Sequence, residues 1–396
     1  MDSPPLLEEH KGEERDAGKQ VQSLYQACQQ LEDGRKARGK HYDLAGILLI
    51  IVLATLAGMS SLLAVSDWAR DQEEAIRADG NLRWKRMPCT KTSSSVLARL
   101  DSQPVKAHLA SWLVRQMKQQ SIGEPEDHQA HLAIDGKALK RTGTRAYGGE
   151  HPHQHLLHLS EADTGVVLQQ VPLGSKTNEA GALKPFLTEA IWKGRVLTAD
   201  AAQRYHAFTR HVKRAGGDVI LIIKDTTPVA RSDLELFCED PQADRSSWQS
   251  LTQGDKGHGR LERRLITRSP DLHGLFFKDW GESGQAFRLQ RECTIKGEHW
   301  CQVRYGVPTL ALKLCPPQRL LSYLRAHWKV ENHLHWQRDA TLGEDRCRIR
   351  FSPVMEMLAV LKTVVLSLMR LHRVSTVARQ LRRFSSHPDE ALVWFL

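Results

Sequence analysis

Three carboxylates occupy positions suited to shared chemistry on a divalent cation. Asp135 closes the apolar run His131 to Ile134, Asp200 closes Arg195 to Ala199, and Glu331 lies inside a helical stretch from Tyr323 to Trp336. Hard cations such as Mg²⁺ take oxygen ligands and retain several waters, which two strand-end aspartates and a helix-borne glutamate can accommodate. A pair of such ions stabilises both the attacking and the leaving oxygen of a phosphodiester displacement. Each acid also has a plainer role open to it. Asp135 can form an Asx turn with Gly136-Lys137, and Asp200 can cap a helix beginning at Ala201. Asp339, Glu344 or Asp345 could supply the third ligand in place of Glu331. His327, Glu331 and His335 recur every four residues, one face of a helix, so a zinc hydrolase is the rival chemistry. That rival leaves Asp135 and Asp200 without a role.

The elements that must position these acids follow from pattern. Residues 1–22 carry few large apolar side chains and are expected to be disordered. Residues 23–122 read as a helical accessory or DNA-binding domain, with an amphipathic helix over Ala64 to Arg77 and helical spacing from Ser93 to Gln119. Leu44 to Ser66 has no charged residue and follows a basic flank, which makes it a membrane-span candidate by length. Its content of Ala, Gly, Ser and Thr, and the absence of a second span, favour a buried helix or hairpin broken near Gly58. From Ala130 the period changes. Strands are expected at 130–140, 153–161 and 166–173, then a helix over 180–192, a strand at 196–200, a helix over 201–215 and a strand at 218–224.

Three antiparallel strands, then helix, strand, helix, strand, is the element order of the ribonuclease H-like fold. In that fold the first and fourth strands are neighbours, which would bring Asp135 beside Asp200. The expected class is therefore α/β, a mixed five-stranded sheet with helices formed by residues 128–225 and 317–373. Residues 226–316, with strand-like runs at 260–267, 287–295 and 300–305, read as a β-rich insertion subdomain, because so long a structureless loop is implausible. Residues 374–396 are expected to form a C-terminal tail, with Arg370 to Arg383 basic and helical.

Composition points to a polyanion. The chain has 396 residues, 56 Lys and Arg against 46 Asp and Glu, and a formal charge of +10; neutralising phosphates with such cations releases condensed counterions and drives DNA binding. The seven cysteines include no C-x-x-C pair, which fits a reduced compartment rather than a disulfide scaffold. The candidate phosphate contacts are His258, Arg260 and Arg263 in Gly257-His-Gly-Arg260 and the residues after it, then Arg346, Arg348 and Arg350 beyond the helical stretch. Lys137, His335 and Arg338 join them from positions beside the acids. Trp328 and Trp336 are expected in the core, and the cluster His151, His153, His155 and His158 on an exposed meander edge.

Several motifs together give the chain a likeness. They are Asp33-Gly-Arg-Lys-Ala-Arg-Gly-Lys40 with Trp68 after the apolar segment, Ala133-Ile-Asp-Gly-Lys137, Leu197-Thr-Ala-Asp-Ala201, Gly257-His-Gly-Arg-Leu-Glu-Arg263, and His327-Trp-Lys-Val-Glu-Asn-His-Leu-His-Trp336 followed by Gly343-Glu-Asp-Arg346. With these, the chain resembles the DDE transposases of bacterial insertion sequences, most closely the group containing the H-repeat-associated proteins, over about residues 25–372. The resemblance implies that Asp135, Asp200 and Glu331 are the catalytic triad and hold two Mg²⁺ ions, with Mn²⁺ able to substitute. It implies double-stranded DNA as partner, both element ends and target, a homodimer that synapses two ends, and a cytoplasmic, nucleoid-associated protein with no membrane segment. A catalytically silent, DNA-binding relic is the alternative. Where relatives often carry Tyr, Arg and Lys around the glutamate, this chain has Leu324, His327 and Arg338.

Overall fold

The computed structural model describes residues 24–36, 40–80, 82, 84–120, 130–139, 145–146, 149–150, 154–173, 189–201, 205–225, 227–257, 259–270, 272, 285–330, 334–347, 349 and 352–393. Residues 24–29 are helical, and five longer helices follow: α1 (Leu44–Leu56), α2 (Leu62–Asp71), α3 (Glu73–Gly80), α4 (Thr90–Leu97) and α5 (Ser102–Gln120). Every residue of α1 is buried, and the Asp43 carboxylate caps it by accepting from the Gly46 amide at 2.7 Å. Gly58, at φ 87°, ends this segment in a conformation that favours glycine. No helix among the described residues is long and apolar enough to cross a membrane. The apolar segment is instead a core helix. The single helix expected over Ala64 to Arg77 is two, broken at Gln72.

The strands follow: β1 (His131–Leu139), a small hairpin of β2 (Arg145–Ala146) and β3 (Gly149–Glu150), β4 (Gln154–Glu161) and β5 (Val167–Leu173). Then come α6 (Glu189–Trp192), β6 (Val196–Ala201), α7 (Tyr205–Arg214), β7 (Asp218–Ile223), α8 (Pro228–Glu239), β8 (Gln249–Gly257), β9 (Arg260–Ser269), β10 (Ala286–Ile295) and β11 (Glu298–Pro308). Helix α9 (Pro317–Val330) leads to a π-helical turn at Gln337–Thr341 and a 3₁₀ turn at Glu344–Arg346, and the chain closes with α10 (Ser352–Leu371), α11 (Val377–Ser386) and α12 (Pro388–Val393).

Nine strands form one mixed sheet in the order β5-β4-β1-β6-β7-β11-β10-β9-β8. Strands β1, β6 and β7 are parallel neighbours, while β11 joins β7 antiparallel. The segment 226–316 is thus β-rich as expected, yet its strands extend the central sheet rather than forming a sheet of their own, and it carries the unanticipated helix α8. Gly306 permits the junction: a Cβ there would lie 2.3 Å from the Leu221 carbonyl oxygen and 2.4 Å from the Phe287 ring. Because β11 pairs with β7 only over Tyr305–Pro308, its first half projects past the end of β7 as a wall.

Side chains alternate between the two faces of a strand. Val196, Ile220 and Ile222 face α9 and pack with Leu320, Leu321 and Leu324. Leu197, Ala199, Val219 and Leu221 lie in the opposite cluster with Phe208, Val212 and Leu234. That cluster also takes in Ile47 and Leu48 of α1, Leu109 of α5 and Val364 of α10, so the N-terminal helices share a core with the sheet. Val377, Leu381, Phe384 and Ala391 bury one side of the C-terminal helices in the same cluster.

Candidate active site

The β1–β6 pairing aligns Ile134 with Ala199, so the next residue on each strand is an aspartate and both point to the α9 face. Along β1 that face presents His131, Asp135 and Lys137, and the chain from α9 onward meets them in order. Tyr323 lies with its ring 4.9 Å from that of His131. His327 Nδ1 is 3.0 Å from the Thr198 hydroxyl, which is also 2.8 Å from His131 Nε2. His327 Nε2 is 3.8 Å from Asp200 Oδ1, and His335 Nδ1 is 3.3 Å from Asp135 Oδ2. Beyond them, Asp339 pairs with Lys137. Lys224, just past β7, pairs with Asp200 Oδ2. Glu331 lies outside the described residues. Its described flanks, four residues to either side, each reach one of the two aspartates.

Burial makes this an electrostatically loaded place. The Asp135 carboxyl is pushed up to about 6, chiefly by burial and further by the like charge of Asp200, against the pull of His327, the Gly136 amide and Lys224. Burial also raises Asp200, but His327 and Lys224 outweigh it and hold that carboxylate below its ordinary value. His335 is pushed down to about 3 by burial and by Arg338 and Lys137, so its ring is neutral. His131 is likewise lowered to about 3 by burial and by His327.

Two expected DNA contacts are overturned by burial. The Lys137 side chain is 5 % exposed, paired with Asp339 and 3.8 Å from Glu344. Arg338 is fully buried and donates to Glu344 at 2.9 and 2.8 Å, with its other terminal nitrogen against His158. Both cations are shut off from solvent in this structure. The same pairs engage Asp339 and Glu344, the second of them buried and held by both ends of the Arg338 fork. His158 is fully buried on β4, an interior strand with β5 at the edge, so the exposed meander edge expected for the histidine cluster holds only for His155 among its described members. Trp336 is 56 % exposed rather than in the core.

Arg260, Arg263 and Arg346 are exposed, the first two beside Glu262 and Glu292 respectively. His258, Arg348 and Arg350 lie outside the described residues. Sequence reasoning missed Arg304, Arg325 and Lys329, which line a groove between α9 and the β8–β11 wall together with Arg260, Arg264 and Arg291. Arg304 stacks over Trp328, 4.9 Å from the ring centroid. The available signal was strand alternation: Arg264 and Arg291 are cross-strand partners on the face that carries Ile266 and Leu289 nearer the core. No group of three or more His, Cys, Asp or Glu side chains disposed to hold a metal ion occurs among the described residues, of which Glu331 is not one.

The molecule is thus an α/β protein whose mixed sheet brings two aspartates from adjacent parallel strands to one face, under α9. Residues 126–368 match the family model described as Transposase DDE domain, and residues 25–113 match its companion, described as DDE_Tnp_1-associated. The chain belongs to the DDE transposase family. It is 23% identical over 363 residues to the "H repeat-associated putative transposase YhhI" of Escherichia coli K12, covering 90% of this chain and 92% of that one. It is 25% identical to the "Putative transposase YncI" of Escherichia coli O157:H7, covering 88% of each. A solved piggyBac transposase synaptic complex with hairpin DNA aligns over 96% of this chain and 78% of that one, at 11% identity and a TM-score of 0.38.

Proposed function

We propose that this DDE transposase is encoded by an insertion sequence and acts through a ribonuclease H-like core, cutting the phosphodiester at the element's ends and joining the freed 3′-hydroxyl to target DNA. The observation that carries the reading is the β1–β6 register, which sets Asp135 beside Asp200 on the α9 face. The sheet order β5-β4-β1-β6-β7 supports the fold assignment. Glu331 is the third acid of this reading, four residues from both His327 and His335 on a helical period.

The donor set fits hard divalent ions such as Mg²⁺. All three acids offer oxygen, Asp200 Oδ1 is buried with no hydrogen-bond partner among the described residues, and Asp135 is raised chiefly by burial and further by the charge of Asp200, both of which a cation would offset. Asp135, Asp200 and Glu331 would hold the ions. When bound, such ions lower the pKa of the attacking hydroxyl or water and stabilise the leaving oxygen. The protein's own groups do the rest. The neutral His335 ring fixes Asp135, the Thr198–His327 contact fixes the floor under Asp200, and Lys224 balances the charge of Asp200 before substrate arrives. A zinc site on His327 and His335 is disfavoured, since those rings are already directed at Thr198, Asp200 and Asp135.

Arg260, Arg263 and Arg346, with Arg304, Arg325 and Lys329 of the groove, are the proposed backbone contacts; such contacts position DNA without reading its sequence. Synapsis of two ends calls for a homodimer acting on the chromosome in the bacterial cytoplasm. The test is Mg²⁺-dependent nicking of a fragment bearing the element's ends. Activity is expected in the unsubstituted protein and loss of cleavage, with binding kept, in Asp135→Ala, Asp200→Ala and Glu331→Ala. Cleavage surviving all three substitutions refutes the reading, and binding without cleavage by the unsubstituted protein favours the relic.

A further inference from the structure

A set of charged and polar side chains lies buried behind the two aspartates. Arg338 and His158 are 0 % exposed, Glu344 is 3 % and Lys137 5 %. Arg338 forks onto both Glu344 oxygens, and its other end meets His158, which also lies 3.2 Å from the Gln170 side-chain oxygen; Thr363 donates to that oxygen at 2.8 Å. Lys137 ties β1 to Asp339. The cluster therefore connects β1, β4, β5 and α10 to one short segment, residues 334–346.

Burying ions costs desolvation that well-packed apolar side chains of like volume avoid, so stability alone gives little reason for such a cluster. What it can supply is register. The segment it grips contains a π-helical turn, closed by the Leu342 amide donating to Gln337 oxygen at 2.8 Å, a rare conformation that rephases the side chains around it. His335 precedes this turn by two residues and stands against Asp135, with its ring 5.4 Å from that of His158. Gly343, in the left-handed region at φ 61°, then turns the chain so that Glu344 returns to Arg338.

We infer that Arg338, with Glu344, His158 and the Lys137–Asp339 pair, is a positioning brace: it fixes the segment after α9 on β1, sets His335 against Asp135, and thereby orients the carboxylate for its metal and substrate. The inference rests on Asp135 being a metal-binding catalytic acid. It gives Lys137 and Arg338 a role other than gripping DNA. Groups one layer out from metal ligands generally matter about 10–100-fold in metal affinity or activity.

The test compares Arg338→Met/Glu344→Leu, which replaces the pair by apolar groups of similar size, with the conservative Arg338→Lys. The double variant is expected to fold, to bind element-end DNA with KM within about threefold, and to lose kcat and Mn²⁺ affinity, read by calorimetry on the protein without DNA, by about 10–100-fold. Arg338→Lys, which keeps the charge but not the fork, is expected to fall between. A purely structural pair would lower the melting temperature and leave kcat and Mn²⁺ affinity of the folded fraction unchanged. That result, or wild-type values in a folded double variant, overturns the inference. Should the double variant fail to fold, Arg338→Lys decides by the same two readings. A failure of the functional reading looks different, since Asp135→Ala would then leave cleavage intact.

Discussion

Replacing Asp135 by Asn should stabilise the metal-free protein at alkaline pH. The carboxyl is raised from its ordinary 3.8 to about 6, so the folded state holds a proton where the unfolded chain has released it. Folding stability therefore falls as pH rises between those two values and stays low above the upper one. At pH 8 the ionised group opposes folding by about 1.4 kcal/mol per unit of the raise, or about 3 kcal/mol at most. The group's side chain is 22% exposed, which brings the expected gain for Asp135→Asn to about 1–3 kcal/mol. At pH 4, near the unfolded value, the gain should shrink towards zero. Urea unfolding of both proteins in EDTA, at pH 4 and pH 8, measures the difference directly. Groups that do not interact with Asp135 titrate alike in both proteins and cancel. An equal loss of stability at both pH values would contradict a raised carboxyl, because it would mean the carboxylate is held by partners the substitution removes.

Other consequences follow from burial and charge. Leu48→Ala should cost about 2–5 kcal/mol in a denaturant melt, because α1 is core rather than membrane span; a near-neutral effect would contradict that placement. Gly306→Ala forces a methyl onto the Leu221 carbonyl and the Phe287 ring and should cost at least about 1–3 kcal/mol, with the wall of β8–β11 loosening first in hydrogen exchange. In Arg260→Gln/Arg263→Gln, the slope of log affinity for duplex DNA against log salt should fall by about 2, equally for any sequence. An unchanged slope would remove the insertion strands from the DNA interface.

Much of the catalytic half was legible because strand alternation and element order are local signals. The runs ending at Asp135 and Asp200 became β1 and β6, and the order of elements between them led to their parallel pairing. The attachment of β11 to β7 was not legible, since nothing local states which strand a new one will join, and the signal at Gly306 is a close approach visible only in three dimensions. Lys137 and Arg338 were misread for a related reason. A basic residue near an acidic site looks like a phosphate contact until its own carboxylate partner is located, and Glu344 reaches Arg338 only because Gly343 reverses the chain. Trp336 shows the converse: its place among helical apolar residues suggested core, but the π-helical turn alters the phase.

Whether Asp135, Asp200 and Glu331 share divalent ions is decided by a structure of the protein with element-end DNA and Mn²⁺ that locates the ions by anomalous scattering. The expected result is manganese about 2.1–2.2 Å from oxygens of Asp135 and Asp200, with a Glu331 oxygen in the same coordination sphere or its neighbour. Manganese bound elsewhere, with Lys224 still on Asp200 and Glu331 turned away, would contradict it.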